Sequence, residues 1–574
     1  MSDVEKEQDV YTRLSNERKQ LQKEGLVPKW YTTGGYQLFK SKYEYDTNGR
    51  SVRGQFERIA KTAAKHLEGT QLHEGAEQKF FDLFWKGWVS LSTPVLANMG
   101  TTRALPVSCS GCVVEDSIHG FYQNRLETAV LTKHGFGTSA YLGNIRHRGA
   151  PISTGGKANG VVPVFKGHVQ DMREVSQGSS RRGAWAGYIE IDHQDFDELV
   201  DHIMAEPDDC NIGWNVSDEF ISRLDNGDPE AVRRFQRAMK MKMVTGRGYF
   251  LFVDKANRQA PQIYKDKGLT IKASNLCNEV MLHSDSDLIF TCILASMNDA
   301  RWDEWKDTDA PYWATVFLDC VASEFIERAK EIEGLEKAVR FTEKSRALGL
   351  GQCGLHTLFQ SKMIPFESFE AHMLSQAIVT RIHTEAMRAT KDMAKVLGEP
   401  EWCKGYGVRN THLIALAPTK STALLMGGVS EGINPDPAMV FTQKSAGGDV
   451  DRVNPTLLSI MKKKGVYTKK VMRDLMDHFG SVQHVDWLTD EEKAVFKTAF
   501  EINQMAVLRM ASARQRFIDQ GQSLNLFFSA EEKPEWIAEV HAAAFHDPYI
   551  KGLYYVYTQA GVKAAQENVC EACQ

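Results

Sequence analysis

Cys277 stands between Asn275 and Glu279 at alternate positions in the run Ser274-Asn275-Leu276-Cys277-Asn278-Glu279-Val280. In an extended segment, a period of two places these three side chains on one face. A thiol, an amide able to hold polar groups and a carboxylate able to take a proton then reach one space. An edge strand with a half-buried cysteine would satisfy the same triplet, so the motif needs support from the rest of the chain. Further thiols offer it. Cys109 and Cys112 form one Cys-x-x-Cys pair, and Cys570 and Cys573 form another. Such spacing suits a metal or a redox couple. A four-cysteine zinc site is disfavoured, because nearly the whole chain separates the pairs and the second lies in a polar tail.

Other stretches carry groups suited to anions. Leu416-Ala417-Pro418-Thr419-Lys420-Ser421-Thr422-Ala423 reads as a strand end, a polar turn and small residues. Hydroxyls, backbone amides and one lysine there suit a diphosphate, especially if a helix begins at that point; an ordinary capped turn reads the same way. Residues 135–160 are rich in glycine, with Arg146 and Arg148 interspersed, and 176–183 form a second polar loop with two arginines. Backbone amides and guanidinium groups of such loops can approach phosphates, although solvated turns have the same composition. Gly349-Leu350-Gly351-Gln352-Cys353-Gly354 matches a dinucleotide-binding pattern. It is set aside because 346–348 does not read as a buried strand and no strand–helix–strand unit surrounds it. Close packing of a helix on a helix or a strand explains those glycines better.

The elements that must position these groups alternate. An amphipathic helix is expected over 76–89, strands over 188–192 and 288–298, and helices over 196–205, 311–333, 366–397 and 490–519. Region 226–250 reads as a basic helix with a solvated face. A strand is expected over 520–526, a helix over 530–545, and a strand over 553–558 that carries adjacent Tyr554 and Tyr555. Strand and helix alternate through most of the chain, which predicts an α/β fold. Residues 1–65 read as a small helical lead-in, broken at Gly34-Gly35.

The chain has 574 residues, 42% of them hydrophobic and 25% charged, as in globular proteins. With 69 basic and 74 acidic residues the net charge is −5, which gives no electrostatic case for nucleic-acid binding. The charged N-terminus has no apolar signal core, and no apolar run is long enough for a membrane span. A cytoplasmic location is expected. The ten cysteines are then mostly thiols, and any disulfide would be catalytic.

Taken together, the motifs resemble the catalytic (large, alpha) subunit of class I ribonucleotide reductases. The resemblance runs from about Leu91 to the C-terminus. It rests on Asn275-x-Cys277-x-Glu279, Ser108-Cys109, Cys292 in a following strand and Arg346-x-Leu348-Gly349-x-Gly351-x-x-Gly354-Leu355. It rests also on Ala417-Pro418-Thr419-x-Ser421, Gly432-Ile433-x-Pro435, the Tyr554-Tyr555 pair and the C-terminal cysteines. Each is weak alone; their order is specific. The resemblance implies an α/β fold built as a ten-stranded α/β barrel of two antiparallel-related halves, with the radical cysteine on an internal loop. Residues 1–65 would precede the barrel at 66–558, and 559–574 would form a flexible redox tail.

The same resemblance implies the chemistry. Cys277 would become a thiyl radical that removes the 3′ hydrogen of a ribonucleoside diphosphate. Glu279 would be the general base at the 3′ hydroxyl, and Asn275 would hold the substrate hydroxyls. Cys109 and Cys292 would protonate the leaving 2′ hydroxyl, supply two electrons and end as a disulfide. Cys570 and Cys573 would restore them by thiol exchange, with thioredoxin or glutaredoxin as the external reductant; Cys112 would be structural. Tyr554 and Tyr555 would pass the oxidising equivalent from a radical-generating small (beta) subunit, which holds the metal cofactor. Thr93, Ser108 and Pro418, Thr419, Lys420, Ser421 and Thr422 would bind substrate. Asp116, Ser117 and Arg146 would bind a dNTP or ATP effector, with a loop over 210–215 linking effector to substrate choice. A homodimer is expected.

Two departures bear on these expectations. No segment resembling the family's N-terminal ATP-binding cone precedes the helical lead-in, a compact form that would suit a viral enzyme. The Cys-x-x-Cys tail also occurs in adenosylcobalamin-dependent reductases, which form the thiyl without a second protein and need no tyrosine relay. A non-catalytic nucleotide-binding or zinc-stabilised protein is the remaining alternative; it leaves the separately placed cysteines unexplained.

Overall fold

The computed structural model describes residues 3–45, 51–175, 183–445 and 448–559. Strands in chain order are β1 (Val89–Leu91), β2 (Cys109–Val113), β3 (Gly137–Tyr141), β4 (Trp185–Glu190), β5 (Asn211–Val216), β6 (Tyr249–Phe252) and β7 (Phe290–Asn298). They continue with β8 (Leu348–Cys353), β9 (Val440–Ser445), β10 (Gly448–Val453), β11 (Leu526–Phe528), β12 (Gly552–Leu553) and β13 (Val556–Thr558). Helices connect them, giving a mixed α/β fold with a helical N-terminal region. No helix among the described residues is long and apolar enough to cross a membrane.

β2 through β6 pair in parallel, in sequence order. β7 runs antiparallel to β2 on one edge and parallel to β8 on the other. Beyond β8 the pairing continues through two isolated parallel bridges, Leu350 with Ile414 and Leu416 with Gln522. Leu526 N–H then donates to Tyr555 O, and β12 pairs antiparallel with β6. The sheet therefore curls strongly around an interior.

Alternation along the strands sorts side chains between two cores. Tyr188, Tyr249, Leu251, Cys292 and Leu294 pack inward with Cys277. Ile189, Trp214, Phe250, Phe252 and Ile293 pack outward against helices. Inside, space is short: a β-carbon on Gly213 would lie 2.2 Å from the Tyr188 ring. Outside, the helix Ala310–Ala329 is buried along nearly its whole length.

Several expectations are corrected. The segment 274–280 is a turn, not an extended strand: Asn278 sits at φ 62°, in the left-handed region. Residues 348–353 are a buried strand leading into the helix Leu355–Ser361, so the glycine run does occupy a strand–helix junction. Its glycines admit a strand, not a helix or a nucleotide. A β-carbon on Gly351 would lie 2.7 Å from Ala415 O, and one on Gly349 would crowd Leu294 at 2.5 Å and Cys292 Sγ at 3.2 Å. The helix expected over 490–519 is two, Asp490–Val495 and Gln504–Gln515. Gln504 Nε2 bonds the carbonyls of Ala499 and Ile502, and Asn503 caps the second helix. Residues 211–216 are the buried strand β5, so the expected specificity loop over 210–215 is not a loop. Finally, the basic helix Pro229–Thr245 is not wholly solvated, because Lys242 is buried in it.

Gly351 therefore measures how tightly the sheet must close. Gly351→Ala should destabilise the chain by about 1–3 kcal/mol, because the opposing atom is backbone and cannot rotate away. Thermal unfolding checks this; an unchanged midpoint would contradict the packing described.

Candidate active site

The turn at 274–280 is held by side chains from distant parts of the sheet. Asn275 closes it from within: its Oδ1 accepts the N–H groups of Glu279 and Val280, each at 3.1 Å. Tyr188 Oη donates to Asn275 O at 2.6 Å, and Ser139 Oγ donates to Ser274 O at 2.7 Å. Asn278 Nδ2 donates to Phe250 O at 3.1 Å and Leu553 O at 3.2 Å. From the opposite side, Ser523 Oγ bonds Cys277 O at 2.7 Å and Glu279 Oε2 at 3.1 Å. Asparagine tolerates the left-handed conformation better than most residues, which suits position 278.

Of the three expected groups, the turn brings Cys277 and Glu279 to one cavity, while Asn275 is fully buried and does not line it. Cys277, Glu279 and Cys109 line one small cavity with about 60 Å³ open to a water-sized molecule. Asn275 Nδ2 reaches Cys109 Sγ at 3.4 Å. Cys109 and Cys292 are directly paired residues of the antiparallel strands β2 and β7. Such partners have Cα atoms about 4.5–5.5 Å apart, within the span a disulfide needs. The two are not joined as a disulfide here. Cys112 lies three positions along β2, so it faces the outer core with the helices while Cys109 faces inward. That division prevents the two from chelating one metal ion. Burial pushes the Cys112 thiol up to about 12. Cys570 and Cys573 lie outside the described residues.

Burial also tunes the acids. The Glu279 carboxyl is lifted to about 7, desolvation outweighing the hydrogen bonds from Asn275 and Ser523. Desolvation, with the neighbouring Cys109 and Glu279, drives the Cys292 thiol well above its usual range. Both thus favour their neutral, protonated forms.

Thr93, Ser108, Pro418, Thr419 and Thr422 line the same cavity. Lys420 and Ser421 follow Thr419 at the start of the short helix Lys420–Leu425. Thr419 takes φ 53°, and its Oγ1 accepts Gly432 N–H at 2.8 Å. A β-carbon on Gly432 would meet Ala417 O at 2.9 Å, which explains the glycine of the Gly432-Ile433-x-Pro435 motif. The buried hydroxyls of Ser92, Ser108 and Ser421 have no hydrogen-bond partner among the described residues. Ser92 and Ser108 lie on the cavity wall, where unmet buried donors suit a polar ligand. Thr93 Oγ1 is 2.9 Å from Tyr43 Oη, tying the N-terminal region to this wall.

Tyr554 and Tyr555 are buried, their ring centroids 4.1 Å apart. They directly follow Leu553, whose carbonyl holds Asn278. Lys242 Nζ bonds Tyr554 O at 2.6 Å, and burial lowers its ammonium to about 7. Asp116, Ser117 and Arg146 gather elsewhere. Arg146 Nε bonds Asp116 Oδ2 at 2.6 Å, and Ser117 caps the helix Ile118–Lys133.

Residue reading missed Ser523, Tyr188, Asn278 and Lys242. Ser523 carried a faint signal in the polar run Gln520-Gly521-Gln522-Ser523. The other three work through contacts that no local spacing announces.

Comparison with known proteins agrees with this geometry. The family model described as "Ribonucleotide reductase, barrel domain" matches residues 107–233, 228–405 and 400–556. A putative ribonucleoside-diphosphate reductase large subunit of Frog virus 3 is 34% identical over 529 residues, spanning 87% of this chain and 92% of that one. The ribonucleoside-diphosphate reductase large subunit of Caenorhabditis elegans is 26% identical, over 94% of this chain and 77% of its own length. Among solved structures, the class Id ribonucleotide reductase alpha subunit of Actinobacillus ureae superposes with a TM-score of 0.86 at 36% identity, over 93% of this chain and 98% of that one. The chain belongs to the ribonucleotide reductase family, as a large (alpha) subunit of class I.

Proposed function

We propose how this large subunit reduces ribonucleoside diphosphates to 2′-deoxyribonucleoside diphosphates, residue by residue. Cys277, as a thiyl radical, takes the 3′ hydrogen and becomes a thiol, leaving a carbon radical on the sugar. Glu279 accepts the 3′ hydroxyl proton, and Asn275 orients the hydroxyls. Cys109, which lines the cavity, protonates the departing 2′ hydroxyl, which leaves as water. Cys292 then gives a hydrogen atom to C2′ as its sulfur joins the Cys109 thiolate; the remaining electron reduces the 3′ ketone, which regains its proton from Glu279, and the two cysteines are left as a disulfide. Cys277 then returns its hydrogen to C3′ and is again a thiyl. The observation that carries this reading is one pocket lined by Cys277, Glu279 and Cys109, with Cys292 paired opposite Cys109. Low polarity and excluded water protect a radical there.

Thr93, Ser108 and the turn at 418–422 hold the ribose and diphosphate, using the unmet hydroxyls on the wall. Tyr554 and Tyr555 relay the oxidising equivalent from a small subunit that carries the metal cofactor. Cys570 and Cys573 return the disulfide to thiols by exchange, with thioredoxin or glutaredoxin as the outer reductant. The barrel has ten members when 413–416, 520–528 and 552–558 are counted beside β2–β8. It occupies 66–558, after a helical region at 1–65 and before a tail at 559–574.

Asp116, Ser117 and Arg146 take an effector nucleotide beside a subunit interface. Support for that interface comes from the helix Ile118–Lys133, which exposes Ile118, Tyr122 and Leu126. These lie at i, i+4 and i+8, one apolar stripe suited to a second copy.

Two measurements test this reading. Labelled CDP with a thiol reductant should yield dCDP with a metal-loaded small subunit and none with adenosylcobalamin alone; the reverse would overturn the tyrosine relay. Cys277→Ser should cut turnover on the order of a thousandfold or more, and Tyr555→Phe should abolish turnover while leaving CDP binding intact. The second measurement concerns pH. Glu279 is raised from 4.5 to about 7 in the folded chain, so between those values the native state holds more protons than the unfolded one. Stability then falls as pH rises across that window. Relative to Glu279→Gln, the wild type should lose on the order of 3 kcal/mol between pH 5 and 8. A pH-independent difference between the two unfolding curves would contradict a buried, neutral Glu279.

A further inference from the structure

The phosphate turn and the tyrosine relay share one side chain. Lys420 follows Thr419 in the turn, yet its ammonium points to the tyrosines. Lys420 Nζ donates to Tyr557 Oη at 3.3 Å. It lies 5.5 Å from the centroid of the Tyr555 ring and 5.9 Å from that of Tyr557. Both distances fall within cation–π range. Tyr557 is itself fixed: its ring is stacked on Phe527 at 5.1 Å and lies 5.7 Å from Tyr555. Meanwhile the neighbours of Lys420 in sequence, Thr419 and Thr422, line the cavity with Cys277 and Glu279. The next residue, Ser421, keeps a buried hydroxyl without a hydrogen-bond partner among the described residues.

We propose that Lys420 couples occupancy of the phosphate turn to the tyrosine relay. In the structure its ammonium rests on Tyr555 and Tyr557. A bound diphosphate draws it off, because charge-assisted bonds to phosphate oxygens are stronger than a neutral phenol bond and a cation–π contact. An ammonium beside Tyr555 opposes removal of an electron from that ring, and its departure eases it. Substrate binding therefore prepares the relay, and Cys277 is oxidised when there is a 3′ hydrogen to take. No chemical step is added; the cation changes only the electrostatic cost of one already assigned. Lys420 is on this account a positioning residue, with Tyr557 as its resting partner. The proposal rests on reading 418–422 as the phosphate turn and Tyr555 as a relay member.

The test uses the full chain with 3-fluorotyrosine in place of Tyr557 and follows its ¹⁹F resonance. Equilibrium dialysis with labelled CDP establishes occupancy in each sample. Saturating CDP should shift the resonance by more than its linewidth, whereas cytidine, which has no phosphate, should not. In Lys420→Met the resonance should start at a different position and stay there when CDP binds. Lys420→Arg should restore the response. CDP bound with an unmoved resonance would overturn the coupling while leaving the phosphate turn intact. An equal shift in Lys420→Met would overturn it as well. Failure of the wild type to bind CDP would sink the phosphate-turn reading itself and this proposal with it.

Discussion

A polar turn buried at the centre of a curled sheet must have its backbone groups satisfied, and this requirement organises the molecule. Unpaired buried amides and carbonyls cost too much to be left. The turn at 274–280 answers with Asn275 bonding two amides from inside, while Tyr188, Ser139 and Ser523 bond its carbonyls from outside. These partners come from early and late parts of the chain. The turn is thus held by residues that the curled sheet brings together from distant parts of the chain. Asn278 completes the arrangement by bonding Phe250 O and Leu553 O, across the pairing of β6 with β12.

The same burial supplies the chemistry. Hydrogen-atom transfer and proton donation need neutral thiols, whereas thiolates serve nucleophilic attack. Desolvation raises Cys292 and keeps it protonated beside Cys109. It also raises Glu279 to about 7, where a carboxyl can both take and release a proton near neutral pH. Lys242 bears the opposite consequence: burial lowers its ammonium to about 7, while its bond to Tyr554 O fixes the tyrosine pair. One low-polarity interior thus shifts the Glu279 carboxyl, the Cys292 thiol and the Lys242 ammonium together, as the proposed base, dithiol and relay require.

Much of this was legible in the residues. The triplet around Cys277 and the polar turn at 418–422 were marked by their residues, and the pairing of Cys109 with Cys292 on β2 and β7 was implied by the family resemblance. The alternation of strands and helices gave the α/β class. What escaped was fixed by tertiary contact. The 274–280 segment reads as extended because its polar residues alternate; the left-handed Asn278 depends on partners far away in sequence. The loop over 210–215 was implied by the family resemblance, yet 211–216 form a strand in which Gly213 is required by the Tyr188 ring that lies against it. The helix over 490–519 keeps its periodicity through 496–503, where Gln504 and Asn503 impose a break that periodicity cannot reveal.

The central claim is that Cys277, held by this turn, removes and returns the 3′ hydrogen of the substrate. Competition between CDP and [3′-²H]CDP, with small subunit and reductant present, tests it most directly. The account predicts slower consumption of the deuterated substrate and deoxy product that keeps deuterium at C3′. Equal consumption of the two, or product with solvent hydrogen at C3′, would contradict it.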